Sequence, residues 1–235
     1  MTNINIFHFI LFININNSSI SIIQTLYLLL FCFYIYIVAI DMKLKSKLKK
    51  EYILKNATQV FIRKGFTSVT MTDIVNECNI SRGGLYKYYK NTEEIFIEIM
   101  SNTTNDQNNY YINLINNNVP FKIIFDDYLS EKNKYLKNIR NTLIIAMHEF
   151  FFSKKNDPFY SKIVCDRFNN SAYVLSLILK YGAQSKEIDI TDFEGYSRQI
   201  LILLEGMYII ALSSNLPESL IDNQFNIIKA NINLK

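Results

Sequence analysis

Residues 69–91, VTMTDIVNECNISRGGLYKYYKN, constrain the fold more than any other stretch of this 235-residue chain. Thr70 and Ser81 each precede a short apolar pattern, and their hydroxyls can cap the free N–H groups of a helix start. Asp73 completes a variant of the capping box with Thr70. Asn79 lies between the two patterns, and asparagine tolerates a left-handed turn. The stretch therefore predicts two short helices joined by a tight turn, a helix-turn-helix.

Two pairs of apolar residues have the spacing of hydrophobic staples: Val69 with Ile74, and Ile80 with Leu85. Such staples fix the angle at which the chain enters each helix. Leu85 and Tyr89 are four residues apart and are expected to face inward. The residues expected nearer the outer side of the second short helix are Arg82, Gly84, Tyr86, Lys87 and Tyr88.

Gly83 and Gly84 are poor helix formers, each costing roughly 1 kcal/mol relative to alanine. Their presence in a helix has two possible explanations. The helix backbone approaches another molecule closely, or a packing constraint inside the protein requires one of the two glycines. Upstream, a helix is expected from about Leu44 to Lys64. Its buried stripe is Ile53, Ala57, Val60 and Phe61, and Gly65 ends it.

Charge is distributed unevenly along the chain. Residues 42–91 carry eleven basic and three acidic side chains, a net charge of +8, whereas residues 92–235 carry a net charge of −3. This asymmetry is typical of a protein in which one module meets a polyanion. A lysine-rich helix that only faces solvent would give a similar count. The helix-turn-helix pattern favours the first interpretation and predicts that the polyanion is DNA, with one helix in its major groove.

The pattern FxxxGFxxVTMTDIVxxCNISRGGLYKYYKNxEEIF, which begins at Phe61, resembles the N-terminal domain of TetR/AcrR-family transcriptional repressors. The resemblance extends from Lys47 to Phe96. It implies that Thr70 and Tyr88 contact phosphates and that Tyr86 contacts the backbone or a base methyl group. It also implies base-reading or groove-facing positions for a further four residues, which are Thr72, Arg82, Gly84 and Lys87.

Two residues depart from the family pattern. Asn79 stands where the family usually has glycine, and Thr92 stands where many members have a lysine that contacts a phosphate. That contact is lost or is taken over by Lys90. Direct base readout is then expected from Thr72, Arg82 and Lys87.

The resemblance also implies an all-α fold, with a three-helix DNA-binding domain at 42–91 and a helical effector-binding and dimerisation domain at 92–235. The sequence itself predicts helices throughout this second region, at about 92–117, 120–138, 140–153, 158–181, 192–214 and 217–232. Pro120, Pro158 and Pro217 stand at helix starts, where the missing N–H does no harm.

Residues 193–212 are more apolar than one helix face can bury, and Gly195, Gly206 and Ala211 offer points of close approach. Pairing of the last two helices across a two-fold axis would bury the excess. An internal core helix is the alternative.

Several aromatic and apolar residues are candidates either for an effector pocket or for the core, and spacing does not separate the two roles. They are Phe125, Tyr128, Met147, Phe150, Phe151, Phe168 and Tyr173. The expected effector is an apolar or aromatic small molecule. His148 and Glu149 form an isolated pair that predicts a structural role. No catalytic, metal or cofactor pattern occurs, so the sequence does not favour an enzyme.

The first 41 residues form an apolar, Asn-dotted, low-complexity extension. One interpretation is a start assigned too far upstream, because Met42 stands directly before the DNA-binding module. The other is a membrane anchor: residues 22–40 are long enough to cross a bilayer, and the following lysines would place the rest in the cytoplasm.

The sequence thus predicts a cytoplasmic homodimeric repressor that binds a palindromic operator and is released by a small-molecule effector. A membrane-anchored sensor or adaptor that uses residues 22–40, with its C-terminal part in the cytoplasm, is the rival prediction.

Overall fold

The computed structural model describes residues 22–232, which contain helices and no strand. This confirms the all-α prediction. Within residues 22–232 there are nine α-helices, which are α1 (Ile22–Lys64), α2 (Met71–Cys78), α3 (Arg82–Tyr86), α4 (Thr92–Asn116), α5 (Phe121–Lys137), α6 (Ile144–Ser153), α7 (Pro158–Gln184), α8 (Phe193–Ser213) and α9 (Glu218–Asn231). A 3-10 turn, Ile139–Asn141, separates α5 from α6.

The expected start of the first helix near Leu44 is wrong, because α1 begins at Ile22. No proline or glycine interrupts the sequence between Ile22 and Lys64, and Asp41 pairs with Lys45 across one helical turn at 2.7 Å. The predicted domain boundary at Met42 thus falls inside a continuous helix and stays a prediction.

The chain divides into two compact units between Glu51 and Tyr52. In the first unit, the apolar side chains from Leu26 to Val38 lie mostly in contact with solvent. By length and composition alone, α1 could cross a membrane, although the signal is weak for a single helix near an N-terminus. Residues 1–21 of the predicted extension lie outside the described residues.

The second unit begins with a three-helix head, defined here as residues 52–91. The predicted stripe of α1 is buried, with Ile53, Ala57, Val60 and Phe61 at most 1% exposed. Gly65 ends α1 in the left-handed region, at φ 73°, as expected of a glycine after a helix C-terminus. Ile74 and Cys78 of α2 and Leu85 of α3 belong to the same buried core as this stripe.

Helices α4 to α9 form the body of the same unit, residues 92–232. The predicted spans are confirmed within a few residues, but α7 runs on to Gln184 through Gly182. A Cβ on Gly182 would collide with the Phe121 ring at the start of α5, so this glycine allows two helices to approach closely. The polar segment after α7 contributes Ile188 and Ile190 to the core.

An aromatic cluster joins the head to the body. The ring of Phe150 in α6 lies 4.9 Å from Phe66 and 5.4 Å from Phe96. The Phe61 and Phe96 ring centroids are 4.7 Å apart. Because Phe150 is fully buried, the two parts of the unit share one continuous core.

Phe150→Ala is expected to lower the free energy of unfolding by about 3–5 kcal/mol, since it leaves a cavity among rigid rings. Phe152→Ala is the matched control. Phe152 is 65% exposed, so its loss should change stability by no more than about 0.5 kcal/mol. Chemical denaturation monitored by circular dichroism gives both values, and equal losses would show that Phe150 does not hold the two parts together.

Candidate nucleic-acid interface and effector cavity

The predicted caps are present at the start of both α2 and α3. The Thr70 Oγ1 accepts a hydrogen bond from the Asp73 N–H, and the Asp73 carboxylate accepts one from the Thr70 N–H at 2.9 Å. Asn79 adopts the left-handed conformation, at φ 47°. The Ser81 Oγ accepts from the Gly84 N–H at 3.0 Å. The residue types at these positions therefore determine the angle between the two helices.

The seven predicted DNA-contacting residues all lie at least partly at the surface. Thr70, Thr72, Arg82, Tyr86 and Lys87 are exposed. The other two of the predicted set, Gly84 and Tyr88, are half-buried.

Helix α3 is shorter than predicted, because Lys87 and Tyr88 were expected to lie on it and instead follow its last residue. It ends at Tyr86, and Lys87 is its C-cap. The Tyr88 N–H donates to the Leu85 carbonyl at 2.9 Å, a three-residue spacing that marks the tighter turn following the helix.

Thr70 is engaged within the protein. Its hydroxyl donates to the Asp73 carboxylate at 2.8 Å, so the proton that a phosphate would accept is directed to a neighbouring carboxylate. The Lys64 ammonium and the Thr70 donors hold the pKa of Asp73 at about 2, and the group stays ionised at neutral pH. The phosphate contact implied for Thr70 stays a prediction, and the Thr70 backbone and hydroxyl act first as a helix cap.

The acidic side chains near the interface are neutralised. Asp73 pairs with Lys64 and Glu77 with Arg63, each at 2.6 Å. Arg82 forms no salt bridge with any carboxylate between residues 22 and 232. The same holds for Lys87, whose ammonium lies 5.9 Å from the Tyr88 ring centroid. The cationic face of α3 therefore keeps its charge available for a polyanion.

The two glycines of α3 differ in what surrounds them. A Cβ on Gly84 would meet the Ser81 Oγ at 3.1 Å, whereas a Cβ on Gly83 would meet nothing within 4 Å. Packing against the cap thus accounts for Gly84. No atom of the protein stands where the Gly83 Cβ would be, and the predicted close approach of another molecule at Gly83 stays a prediction.

A cavity of about 610 Å³ lies between α4, α5, α6, α7 and α8 of the body and extends to Thr58 and Ile62 on α1 of the head. Of the candidate residues, Tyr128, Met147 and Phe168 line it. Phe125 and Phe150 are instead fully buried core residues.

The remaining two candidates also lie elsewhere: Phe151 packs on the core, and Tyr173 is 61% exposed. Several cavity residues were missed because their helices carry no distinctive motif, among them Tyr111, Lys132, Tyr135, Arg167, Glu205 and Tyr208.

Polar contacts lie on both sides of Phe150, one to the head and one to the first turn of α4. The Glu149 carboxylate accepts hydrogen bonds from the N–H and hydroxyl of Thr67, at 2.9 and 3.0 Å. Lys154, just after α6, forms a salt bridge with Glu93 in the first turn of α4. The Tyr160 hydroxyl donates to the same carboxylate at 2.7 Å. Glu149 therefore links the body to the head, a contact that the sequence did not predict.

Comparison with known proteins agrees with this geometry. Residues 53–99 match the family described as bacterial regulatory proteins, tetR family. The chain carries a TetR-family DNA-binding domain. Over 98 residues it is 35% identical to the HTH-type transcriptional regulator YfiR of Bacillus subtilis, covering 42% of this chain and 47% of that protein.

A second curated relative is the biofilm operon icaADBC HTH-type negative transcriptional regulator IcaR of Staphylococcus epidermidis. It is 35% identical over 66 residues, covering 28% of this chain and 34% of IcaR. The matches thus span less than half the length of either relative.

The TetR-type fold extends beyond the matched domain. The transcriptional regulator FadR of Bacillus subtilis, solved in complex with stearoyl-CoA, superposes with a TM-score of 0.59 over 76% of this chain and 97% of that chain. Its sequence identity is 17%, so this likeness concerns the fold alone.

Gly83→Ala is expected to separate stability from DNA binding in the TetR-type head. Replacing a helical glycine by alanine should raise the free energy of unfolding by up to about 1 kcal/mol, since nothing obstructs the new Cβ. If DNA approaches the α3 backbone here, affinity for the DNA upstream of the gene should fall roughly tenfold or more, about 1.4 kcal/mol. Thermal melts and gel-shift titrations measure the two effects, and unchanged affinity would reject close approach at Gly83.

Proposed function

We propose that this protein is a homodimeric transcriptional repressor that binds a palindromic operator and releases it when a small molecule enters the body cavity. The observation that carries the proposal is the position of α6. Ile144 and Met147 on this helix line the cavity, and within the next two turns Glu149 and Phe150 contact the head.

A ligand that displaces Met147 or Ile144 would shift α6, and this shift would reach the head through Phe150 and Glu149. Packed rings admit few alternative arrangements. A shift of α6 would therefore displace the head residues packed against Phe150 and would not be taken up by small local adjustments. The ligand would favour a state in which the two heads no longer fit successive major grooves, roughly 34–36 Å apart. Release is then a shift in population between two states.

An exposed apolar stripe on α8 supports dimerisation. Ile202, Gly206, Ile209 and Ile210 follow a helical spacing; the three isoleucines are at least 47% exposed, and Gly206 has open space where a Cβ would stand. Gly195 is different, because the carboxylate of Asp192, which caps α8, fills that space. Of the predicted glycine contacts, Gly206 is thus the one that a second subunit could use.

The relatives support the regulatory role without defining the effector. IcaR is named as a negative transcriptional regulator, and FadR was solved with a fatty acyl thioester. We assign the present protein to the cytoplasm, where its operator lies. If α1 anchors it to the membrane through residues 22–40, the native protein will sediment with membranes, and this separates the two locations.

Arg82→Ala and Lys87→Ala test the DNA-reading role of α3. Loss of Arg82 should weaken specific binding by roughly 1–3 kcal/mol, and loss of Lys87 should reduce the salt dependence by about one phosphate contact. The body variant Arg140→Ala/Lys155→Ala removes the same charge from two exposed sites and should bind as the unmodified protein does.

Footprinting and gel shifts on the DNA upstream of the gene, repeated at several salt concentrations, measure both effects. If the α3 variants and the body variant bind equally well, α3 does not read DNA and the repressor assignment fails.

Ile202→Glu/Ile209→Glu tests the dimer. Two carboxylates buried against a second subunit would be strongly unfavourable, so this variant should sediment as a monomer and lose operator binding. The control is Ile123→Glu on α5, an isoleucine of comparable exposure (58%) away from this stripe. Analytical ultracentrifugation measures the oligomeric state of both variants. If the double variant remains a dimer, the interface lies elsewhere.

A further inference from the structure

The cavity has a polar end as well as an aromatic wall. Tyr111, Tyr128, Phe168 and Tyr208 supply rings, and Lys132 enters from α5. Lys132 is half-buried, and its removal from water lowers the pKa of its ammonium group. This lysine is therefore the group that distinguishes the cavity from a simple apolar pocket.

Lys132 has weak internal partners. Its Nζ lies 3.4 Å from the Gln107 Oε1 and 5.2 Å from the centroid of the Tyr128 ring. It forms no salt bridge with a carboxylate of the described residues. A buried cation without an anionic partner costs free energy, which a ligand carrying a negative charge would offset.

Glu131 and Glu205 lie close enough to raise the pKa of the Lys132 ammonium group, against the effect of burial, but neither carboxylate forms a salt bridge with it. Glu205 faces Arg167 at 3.9 Å, so these two groups largely neutralise each other. Glu131 is exposed to solvent, where water screens its charge. A cationic ligand would therefore be repelled by Lys132, whereas an anionic ligand would be attracted to it.

A second group in the cavity lacks a partner. The Tyr111 hydroxyl is buried and has no hydrogen bond to any residue in the described part of the chain. Buried polar groups are nearly always satisfied. Lys132 and Tyr111 thus provide two donors on the wall of a cavity whose volume of about 610 Å³ suits a small organic molecule.

We propose that the cavity binds an aromatic organic anion, whose acidic group pairs with Lys132 while its ring packs against the tyrosines and Phe168. This inference rests on the proposed function in treating the cavity as the effector site. It goes further in naming the charge and chemical class of the ligand.

Two dyes with the same aromatic body test the charge requirement in the full-length protein. They are 1-anilinonaphthalene-8-sulfonate, an anion, and N-phenyl-1-naphthylamine, its neutral counterpart. Lys132→Met should weaken binding of the anionic dye roughly tenfold or more, because a charge-assisted hydrogen bond is lost from a buried site. Binding of the neutral dye should stay the same, and Lys132→Arg should retain most of the affinity for the anion.

Lys122→Met is the matched control, since Lys122 lies on the same helix, is exposed and does not line the cavity. Fluorescence titration measures all affinities, and circular dichroism checks the fold. Anionic dye bound at the apolar side chains of α1 would appear as a component that no Lys132 variant changes. Absence of a Lys132-dependent component, or an equal loss of both dyes, would overturn the proposal.

A parallel gel shift with the DNA upstream of the gene, without dye, keeps the two hypotheses separate. If Lys132→Met and the unmodified protein bind DNA equally while anion binding differs, both stand. If neither binds DNA but anion binding still depends on Lys132, the repressor assignment fails and the ligand class stands.

Discussion

The packing of Phe150 against Phe66 and Phe96 is the interaction on which the rest of the second unit depends. It makes the head and the body parts of one core, so that neither can move independently at this point. Helix α6 combines this contact with a position on the cavity wall, where Ile144 and Met147 lie. Within the part of the chain that the structure describes, it is one of two direct connections between the cavity and the head, the other being α1, whose Thr58 and Ile62 also line the cavity.

Polar contacts on both sides of this aromatic contact fix the position of α6. Glu149 holds the loop after α1 through Thr67, and Lys154 with Tyr160 holds the first turn of α4 through Glu93. Aromatic packing by itself would tolerate sliding of one ring over another. Hydrogen bonds and ion pairs require specific distances and angles, so a displacement of α6 must break or carry these partners. Such all-or-none contacts are suited to a two-state regulator.

The head and the body differ in how far their sequences predicted them. In the head, caps, staples and the turn act between residues at most five positions apart, and each has a recognisable residue type. The body cavity depends on contacts between residues far apart in the chain. Its aromatic candidates divided between cavity and core, as the contrast between Tyr128 and Phe125 shows. The start of α1 was also missed, because no proline or glycine between Ile22 and Lys64 separates the apolar stretch from the lysine-rich one.

The sequence by itself determined the all-helical class, the helix-turn-helix and the cationic face of α3, since these follow from local hydrogen bonding and helical periodicity. Only the tertiary structure decided that Lys132 enters an aromatic cavity, that Glu149 binds the head and that Gly182 lies against Phe121. Such placements result from the mutual packing of whole helices. The same residue on the same helix lies in a cavity, in the core or at the surface according to which neighbour covers it.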